Sequence, residues 1–290
     1  MRLLNSQCIR CLLNKYMDNI PETASEEAKV AYIKRLLSIV LESDENTSAP
    51  EAVEWVMHAR EEILGVRDDY TKEKSYYNAK MLALEGEIEQ KISSSIDPFR
   101  TALGFAFAGN YIDFGTVQGV EENKLMEILE NASHLVLPED EVENLRRDCK
   151  TAKRMVILID NCGEIVMDKI LLKVIKTMNG SAEMTAIVRG APVLNDCTLE
   201  DAKQVDFESV ANVISNGSAI AGTCLERITA EARQAIEEAD VVISKGQGNF
   251  ETLSGSGRNV YYLFLCKCHK FSVQFGVPEM TPMLINDRRI

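Results

Sequence analysis

Residues 155–168 read MVILIDNCGEIVMD. The run MVILI (155–159) has the length and unbroken apolar character of a strand buried on both faces. It passes directly into Asp160, Asn161, Cys162, Gly163 and Glu164, after which an amphipathic pattern resumes. A buried strand that finishes on an acid, an amide and a glycine carries polar groups to the edge of a sheet. Gly163 lets the chain turn tightly into the following helix.

The same grammar repeats outward from this stretch. Short apolar runs stand at MTAIV (184–188), SVANVI (209–214), VVIS (241–244) and VYYLFL (260–265). Segments of helical period, such as VMDKILLKVIKTM and TAEARQAIEEA, separate most of them. Strands alternating with helices imply a parallel sheet covered on both faces. Upstream of Lys153 the pattern is helical. Thr23-Ala-Ser-Glu26 reads as a capping box before Val30, Ile33, Leu37, Val40 and Leu41, and Ser48-Ala-Pro-Glu51 is a second such start. A long charged helix is expected from Tyr70 to Ile92, and Asp97-Pro98 opens another, FRTALGFAFAG, whose composition suits burial. The expected fold class is α/β: a doubly wound, mostly parallel sheet (three-layer α/β/α) preceded by an all-α N-terminal domain. The boundary is placed between residues 1–152 and 153–290.

Composition narrows the function. With 45 acidic and 32 basic residues the net charge is −13, which gives no electrostatic footprint for nucleic acid. No window approaches eighteen uninterrupted apolar residues, and MRLLNSQCIRCLLNKY lacks the apolar centre of an export signal. The expectation is a soluble, cytoplasmic protein with no membrane partner, whose eight cysteines are reduced.

In open parallel sheets, ligands bind at the carboxyl ends of the strands. There this chain places Asp160 and Asn161; Arg189 through Asp196; Asn216; Lys245, Gly246 and Asn249; and Cys266-Lys267-Cys268. One strand–helix–strand unit separates Asp160 from Asp196, which brings both carboxylates to the same edge. Two carboxylates and an amide oxygen form a hard ligand set that suits Mg²⁺ or Mn²⁺ and suits zinc poorly. Lys245 adds a cation, and the glycines beside it allow backbone N–H groups to approach an anion. Acid, amide, acid and lysine together have the chemistry of a metal-assisted phosphoryl site. Each motif alone has an ordinary reading as an N-cap or a turn; their concentration on one edge argues for function.

At this point the residues resemble a family. DNCGEIVMD (160–168), RGAPVLND (189–196), KGQGNFETL (245–253) and AGNYIDFG (108–115) are similar to signature blocks of the domain-of-unknown-function 89 family, the metal-dependent damage-control phosphatases. Cys8-Ile-Arg-Cys11 looks like the paired-cysteine signature of its prokaryotic branch. The resemblance implies that Asp160, Asn161 and Asp196 hold a divalent cation, with Mn²⁺, Mg²⁺, Co²⁺ and Ni²⁺ as candidates. It places Lys245 or Lys267 at the substrate phosphate, and Asn110 and Asp113 in a block that closes over the site from the helical part. Arg189, Gly246, Asn249 and Asn216 complete the expected substrate-binding set. The implied reaction is hydrolysis of phosphate monoesters of small metabolites, sugar phosphates or phosphopantetheine-type compounds, as damage control. Cys266 departs from the small residue usual in the family.

Two nucleophiles stay open: an activated water, or Asp160 through an aspartyl-phosphate. The Asp-x-Asp arrangement of haloacid-dehalogenase-type phosphatases is absent because position 162 is Cys. Cys8 and Cys11 could be half a zinc site completed by Cys266, Cys268 and His269, a redox pair, or structural thiols. Rival functions are a nucleotide- or metal-binding module and a dinucleotide-dependent oxidoreductase; no G-x-G-x-x-G follows a strand to support the latter.

Overall fold

The computed structural model describes residues 4–112 and 121–290. Asp113, one of the expected site residues, lies outside the described residues. Among the described residues, seven α-helices precede the first strand: α1 (Ser6–Asp18), α2 (Glu26–Glu42), α3 (Ala49–Leu64), α4 (Thr71–Ser93), α5 (Pro98–Gly109), α6 (Glu122–Glu130) and α7 (Glu139–Thr151). Then follow β1 (Arg154–Leu158), α8 (Glu164–Met178), β2 (Glu183–Val188), α9 (Leu199–Gln204), β3 (Asn212–Ser215), α10 (Ala230–Glu238), β4 (Val241–Lys245), α11 (Gln247–Leu253), β5 (Val260–Leu265), α12 (His269–Phe275) and β6 (Pro282–Asn286).

Local chemistry accounts for the helix starts. Ser48 accepts from the Glu51 N–H while the Glu51 carboxylate accepts from the Ser48 N–H, with Pro50 in the first turn. Asp97 caps α5 by accepting from the Arg100 N–H. The cap of α2 is Ser25, not Thr23: its hydroxyl accepts from the Ala28 N–H, so the helix opens at Glu26.

The sheet order is β3-β2-β1-β4-β5-β6. Every pair is parallel except β5–β6, where β6 runs antiparallel along the outer edge. The five residues of β6, PMLIN, hold only three consecutive apolar side chains and gave no clear strand run to read in the sequence. Strand side chains alternate between faces. Met155 and Ile157 of β1 and Tyr261 and Leu263 of β5 join the core shared with α5 and α8. Val156, Leu158, Tyr262 and Phe264 join the core on the opposite face, with Ile236 of α10, Phe250 of α11 and Phe271 of α12. Helices therefore cover both faces, the three-layer arrangement expected.

The larger core crosses residue 152: Tyr77, Met81, Leu103 and Leu145 of the helical part belong to the same cluster as β1 and α8. Helices α1 to α3 have a separate cluster built on Leu12, Tyr32, Leu36 and Val56. The chain order reverses between β1 and β4, which are adjacent although two strands intervene in sequence. A crevice opens at such a reversal, beyond the carboxyl ends of the two strands.

Candidate active site

The loops leaving β1 and β4 meet in that crevice. Asp160 leaves β1, and Gly246 leaves β4 with φ +79°. A Cβ added to Gly246 would stand 1.9 Å from Asp160 Oδ2, so only glycine admits the carboxylate there. The loop after β1 is also joined to the one after β2. Asn161 and Asp196 form an isolated antiparallel bridge, the Cys162 N–H donating to the Asn195 carbonyl (2.9 Å) and the Cys197 N–H to the Asp160 carbonyl (2.8 Å). That bridge brings Asp160, Asn161 and Asp196 together, all buried.

Arg189 spans the two aspartates. Its Nε donates to Asp196 Oδ2 at 2.6 Å and one terminal nitrogen to Asp160 Oδ1 at 3.2 Å. The other terminal nitrogen donates to the Gly222 carbonyl and Asn249 Oδ1, both at 2.9 Å. The guanidinium is only 1% exposed. Expected as a substrate contact, Arg189 is instead engaged by protein acceptors and neutralises the carboxylates it joins. Asn249 is a support for it: Oδ1 also accepts from the Thr223 hydroxyl, and Nδ2 donates to the Lys245 carbonyl.

Lys245 departs further from expectation. It is wholly buried, and its three N–H donors are all used: by the Ala106 carbonyl (2.8 Å), Asp168 Oδ1 (2.7 Å) and Glu164 Oε1 (2.8 Å). Although burial works against it, Asp168 and Glu164 hold its ammonium above the ordinary lysine range. Burial pushes the Asp168 carboxyl up to about 7 despite the Lys245 cation, and the Glu164 charge adds to that rise. Among the described residues Asp168 Oδ2 has no hydrogen-bond partner, which fits a carboxyl starved of solvation. The Gly246 N–H is likewise spent, donating to the Leu263 carbonyl, so it is not an anion donor.

Asn110 reaches in from the end of α5. Its Nδ2 donates to both Glu164 oxygens (3.0 and 2.9 Å) and more weakly to Asp160 Oδ2 (3.5 Å). Its Oδ1 accepts from the Leu265 N–H, which ties the helical part to β5. Asn161 Nδ2 donates to Asp160 Oδ2 (2.7 Å) and Glu164 Oε2 (3.0 Å). Lys267 follows β5 half-buried, its N–H donating to Gln247 Oε1. Asn216, beyond β3, is fully buried; its Oδ1 accepts from the Ser218 N–H and its Nδ2 has no partner among the described residues.

Sequence reasoning passed over Glu164 and Asp168, which stand one turn apart at the start of α8. The signal was available: two acids lie on a helix whose residues 164–172 are buried throughout. An acid in a first turn is ordinarily explained by the helix dipole, which concealed it. Beneath the joined loops, the Cys162 and Cys197 sulfurs lie 3.5 Å apart, and burial raises the Cys197 thiol well above its usual range. All eight cysteines are free thiols, and no group of three or more His, Cys, Asp or Glu side chains stands at metal-ligand spacing among the described residues. Cys8 and Cys11 thus gain no third ligand there. An open groove lined by Lys176, Met184, Glu208 and Asn212 lies at the opposite, amino-terminal edge of the sheet and gathers no comparable polar set.

Residues 4–281 match the damage-control phosphatase ARMT1-like domain. The chain belongs to this family. Among its damage-control phosphatase relatives, one from Archaeoglobus fulgidus is 32% identical over 279 residues, covering 93% of this chain and 94% of the relative. Another, from Pyrococcus horikoshii, is 29% identical over 277 residues, covering 94% of each chain. The crystal structure of a DUF89 family protein from Pyrococcus horikoshii superposes with a TM-score of 0.81 at 26% identity, over 98% of this chain and 99% of that one. The ARMT1-like family thus spans both the helical part and the sheet, as the ordered motifs implied. Among the described residues, no helix is long and apolar enough to cross a membrane.

Proposed function

We propose that this chain is a divalent-metal-dependent phosphatase that hydrolyses phosphate monoesters of small metabolites, sugar phosphates or phosphopantetheine-type compounds, as a damage-control activity. The observation that carries the reading is the pairing of the β1 and β2 loops, which gathers Asp160, Asn161 and Asp196 at the chain reversal. Names of the relatives point the same way.

The residues fit a hard cation. Asp160 and Asp196 offer carboxylate oxygens, and the Asn161 amide offers its carbonyl oxygen, opposite the Nδ2 that Asp160 and Glu164 hold. Two carboxylates and one amide suit an ion of the Mg²⁺ or Mn²⁺ type that retains waters. Charge balance agrees: among the described residues, Asp160, Asp196 and Glu164 interlock with two cations, Arg189 and Lys245, an excess of one negative charge before Asp168 gives up its proton. A buried excess of negative charge favours a bound cation. When held there, the ion would supply Lewis-acid stabilisation of a phosphoryl oxygen. The chain's own part is positional. Arg189 fixes the facing edges of the two aspartates, Gly246 leaves room beside Asp160, and Asn110 with Glu164 fixes the Asn161 amide. Asp160 is the least buried of the three at 7% exposure, and so is the one that would meet the ester.

The test is phosphate release from an aryl phosphate by metal-stripped protein, with Mn²⁺, Co²⁺, Ni²⁺ and Mg²⁺ restored singly. Metal-restored turnover, extended to a panel of sugar phosphates and phosphopantetheine, is the expected result. Tight metal binding without turnover of any ester would overturn the assignment. Hydrolysis in oxygen-18 water, with acid quenching to trap a phosphoenzyme, separates attack by water from attack by Asp160.

A further inference from the structure

Two residues of α4, one helical turn apart, each grip one of the two joined loops. Asn78 is fully buried on a face that otherwise buries Tyr77, Met81, Ile88 and Ile92. An amide there is costly unless both its ends are used. They are: Oδ1 accepts from the Gly163 N–H at 2.6 Å, and Nδ2 donates to Gln204 Oε1 at 3.0 Å. Gly163 is the N-cap of α8, has φ +82°, and has no capping side chain from its own loop. Its Cα is pressed from the same side, since an added Cβ would stand 2.9 Å from Ile112 and 3.0 Å from Tyr77. The turn carrying Asp160 and Asn161 is thus held by a residue 85 positions upstream.

Lys74 performs the equivalent task on the second loop. Its ammonium lies 2.6 Å from Asp201 Oδ2, both side chains being nearly buried. That same oxygen accepts from the Thr198 N–H and hydroxyl, at 2.8 and 2.7 Å, two residues beyond Asp196. Positions i and i+4 share one helix face. One rigid helix therefore spans both loops at the place where Asn161 pairs with Asp196.

We propose that Asn78 and Lys74 are positioning residues which set the separation of Asp160 and Asn161 from Asp196, and through it the affinity of the site for a divalent cation. The inference rests on the metal-dependent reading above for its kinetic consequence, though not for its structural one. Groups that orient ligands from behind are worth roughly 10- to 100-fold in metal affinity or activity.

The experiment compares Asn78→Leu, which keeps volume and deletes both hydrogen bonds, with Asn78→Asp, which keeps an acceptor for Gly163 and has Lys74 nearby to offset its charge. Lys74→Met and Lys74→Arg form the second pair, and Lys91→Met, at an exposed ion pair on the same helix, is the control. Mn²⁺ affinity is measured by calorimetry, aryl phosphatase turnover at saturating metal, and amide exchange over residues 159–165 in the metal-free proteins. Asn78→Leu and Lys74→Met are expected to weaken Mn²⁺ by 10- to 100-fold with little change in KM for the ester. In addition, Asn78→Leu speeds exchange at Gly163, and the conservative partners restore most of each loss. Unchanged Mn²⁺ affinity and unchanged exchange in Asn78→Leu would overturn the proposal. If the unaltered protein neither binds a divalent ion nor turns over an ester, the metal-dependent reading fails instead. The exchange at Gly163 and its rescue by Asn78→Asp then still decide whether α4 sets the loop.

Discussion

Asp160 and Asp196 share Arg189 in one cluster, while Glu164 and Asp168 share Lys245 in another, one layer deeper toward α8. The residue types match: two carboxylates around one cation. Their surroundings do not. Glu164, Asp168 and Lys245 are wholly sealed, whereas Asp160 keeps 7% of its surface at the crevice. The outer pair sits on loops joined by a two-residue bridge; the inner pair sits on the first two turns of α8, with Lys245 at the end of β4. An ion cluster that retains access can serve chemistry. A sealed one can only orient its neighbours and tie elements together, here through Asn110 and Asn161, which contact Glu164.

The largest effect should separate the clusters outright. Asp160→Ala is expected to lower metal-restored turnover by on the order of 10³-fold. Stability should move by no more than about 1–2 kcal/mol, because Arg189 keeps Asp196 and Asn249. Turnover assays and urea denaturation on the same preparation read both. Lys245→Met should do the reverse. Removing the cation strands Glu164 and Asp168 in a sealed site, at a cost of about 3–5 kcal/mol. If Lys245→Met instead raised KM for the ester with an unchanged urea midpoint, Lys245 would reach the substrate and the division between the clusters would collapse.

Much of this was legible from the chain alone, for reasons specific to each element. Strands β1, β2, β4 and β5 are buried on both faces, so they appear as unbroken apolar runs, and their polar ends stand out against them. The antiparallel edge β6, only partly buried, lacks that contrast. That Asp160, Asn161 and Asp196 come together was legible because all three follow strands. Roles were not. Arg189 and Lys245 look like phosphate ligands in the sequence, yet their partners Asp196, Asp168 and Ala106 become neighbours only when helices and strands pack. Asn78 and Lys74 were invisible for the same reason: on a charged helix an Asn and a Lys attract no notice until Gly163 and Asp201 are seen against them.

A thermal or urea titration with Mn²⁺ sharpens the comparison at a smaller scale. An ion at 100 times its dissociation constant should stabilise the folded chain by about 2.7 kcal/mol. Asp160→Asn combined with Asp196→Asn should abolish that increment. Lys245→Met, destabilised as it is, should keep most of it if the inner cluster supplies no ligand. Loss of the increment in Lys245→Met would mean that the deeper cluster also determines whether the ion binds.

The smallest expected effect is a slope rather than a drop. Asp168 titrates near 7 in the folded chain because burial penalises its charge, against an ordinary value of 3.8. Between those two limits the folded protein retains a proton that the unfolded chain has released, so this carboxyl makes stability fall as pH rises. For one proton the slope is at most about 1.4 kcal/mol per pH unit. Asp168→Asn removes the titration and leaves the remaining groups in place. The difference in unfolding free energy, native chain minus variant, should therefore decline from pH 5 to pH 7. A difference that rose over that range would mean that the Lys245 ion pair outweighs the burial of Asp168. The inner cluster would then be a fully ionised salt bridge, and the carboxylate excess that favours a divalent cation at the outer loops would be larger still.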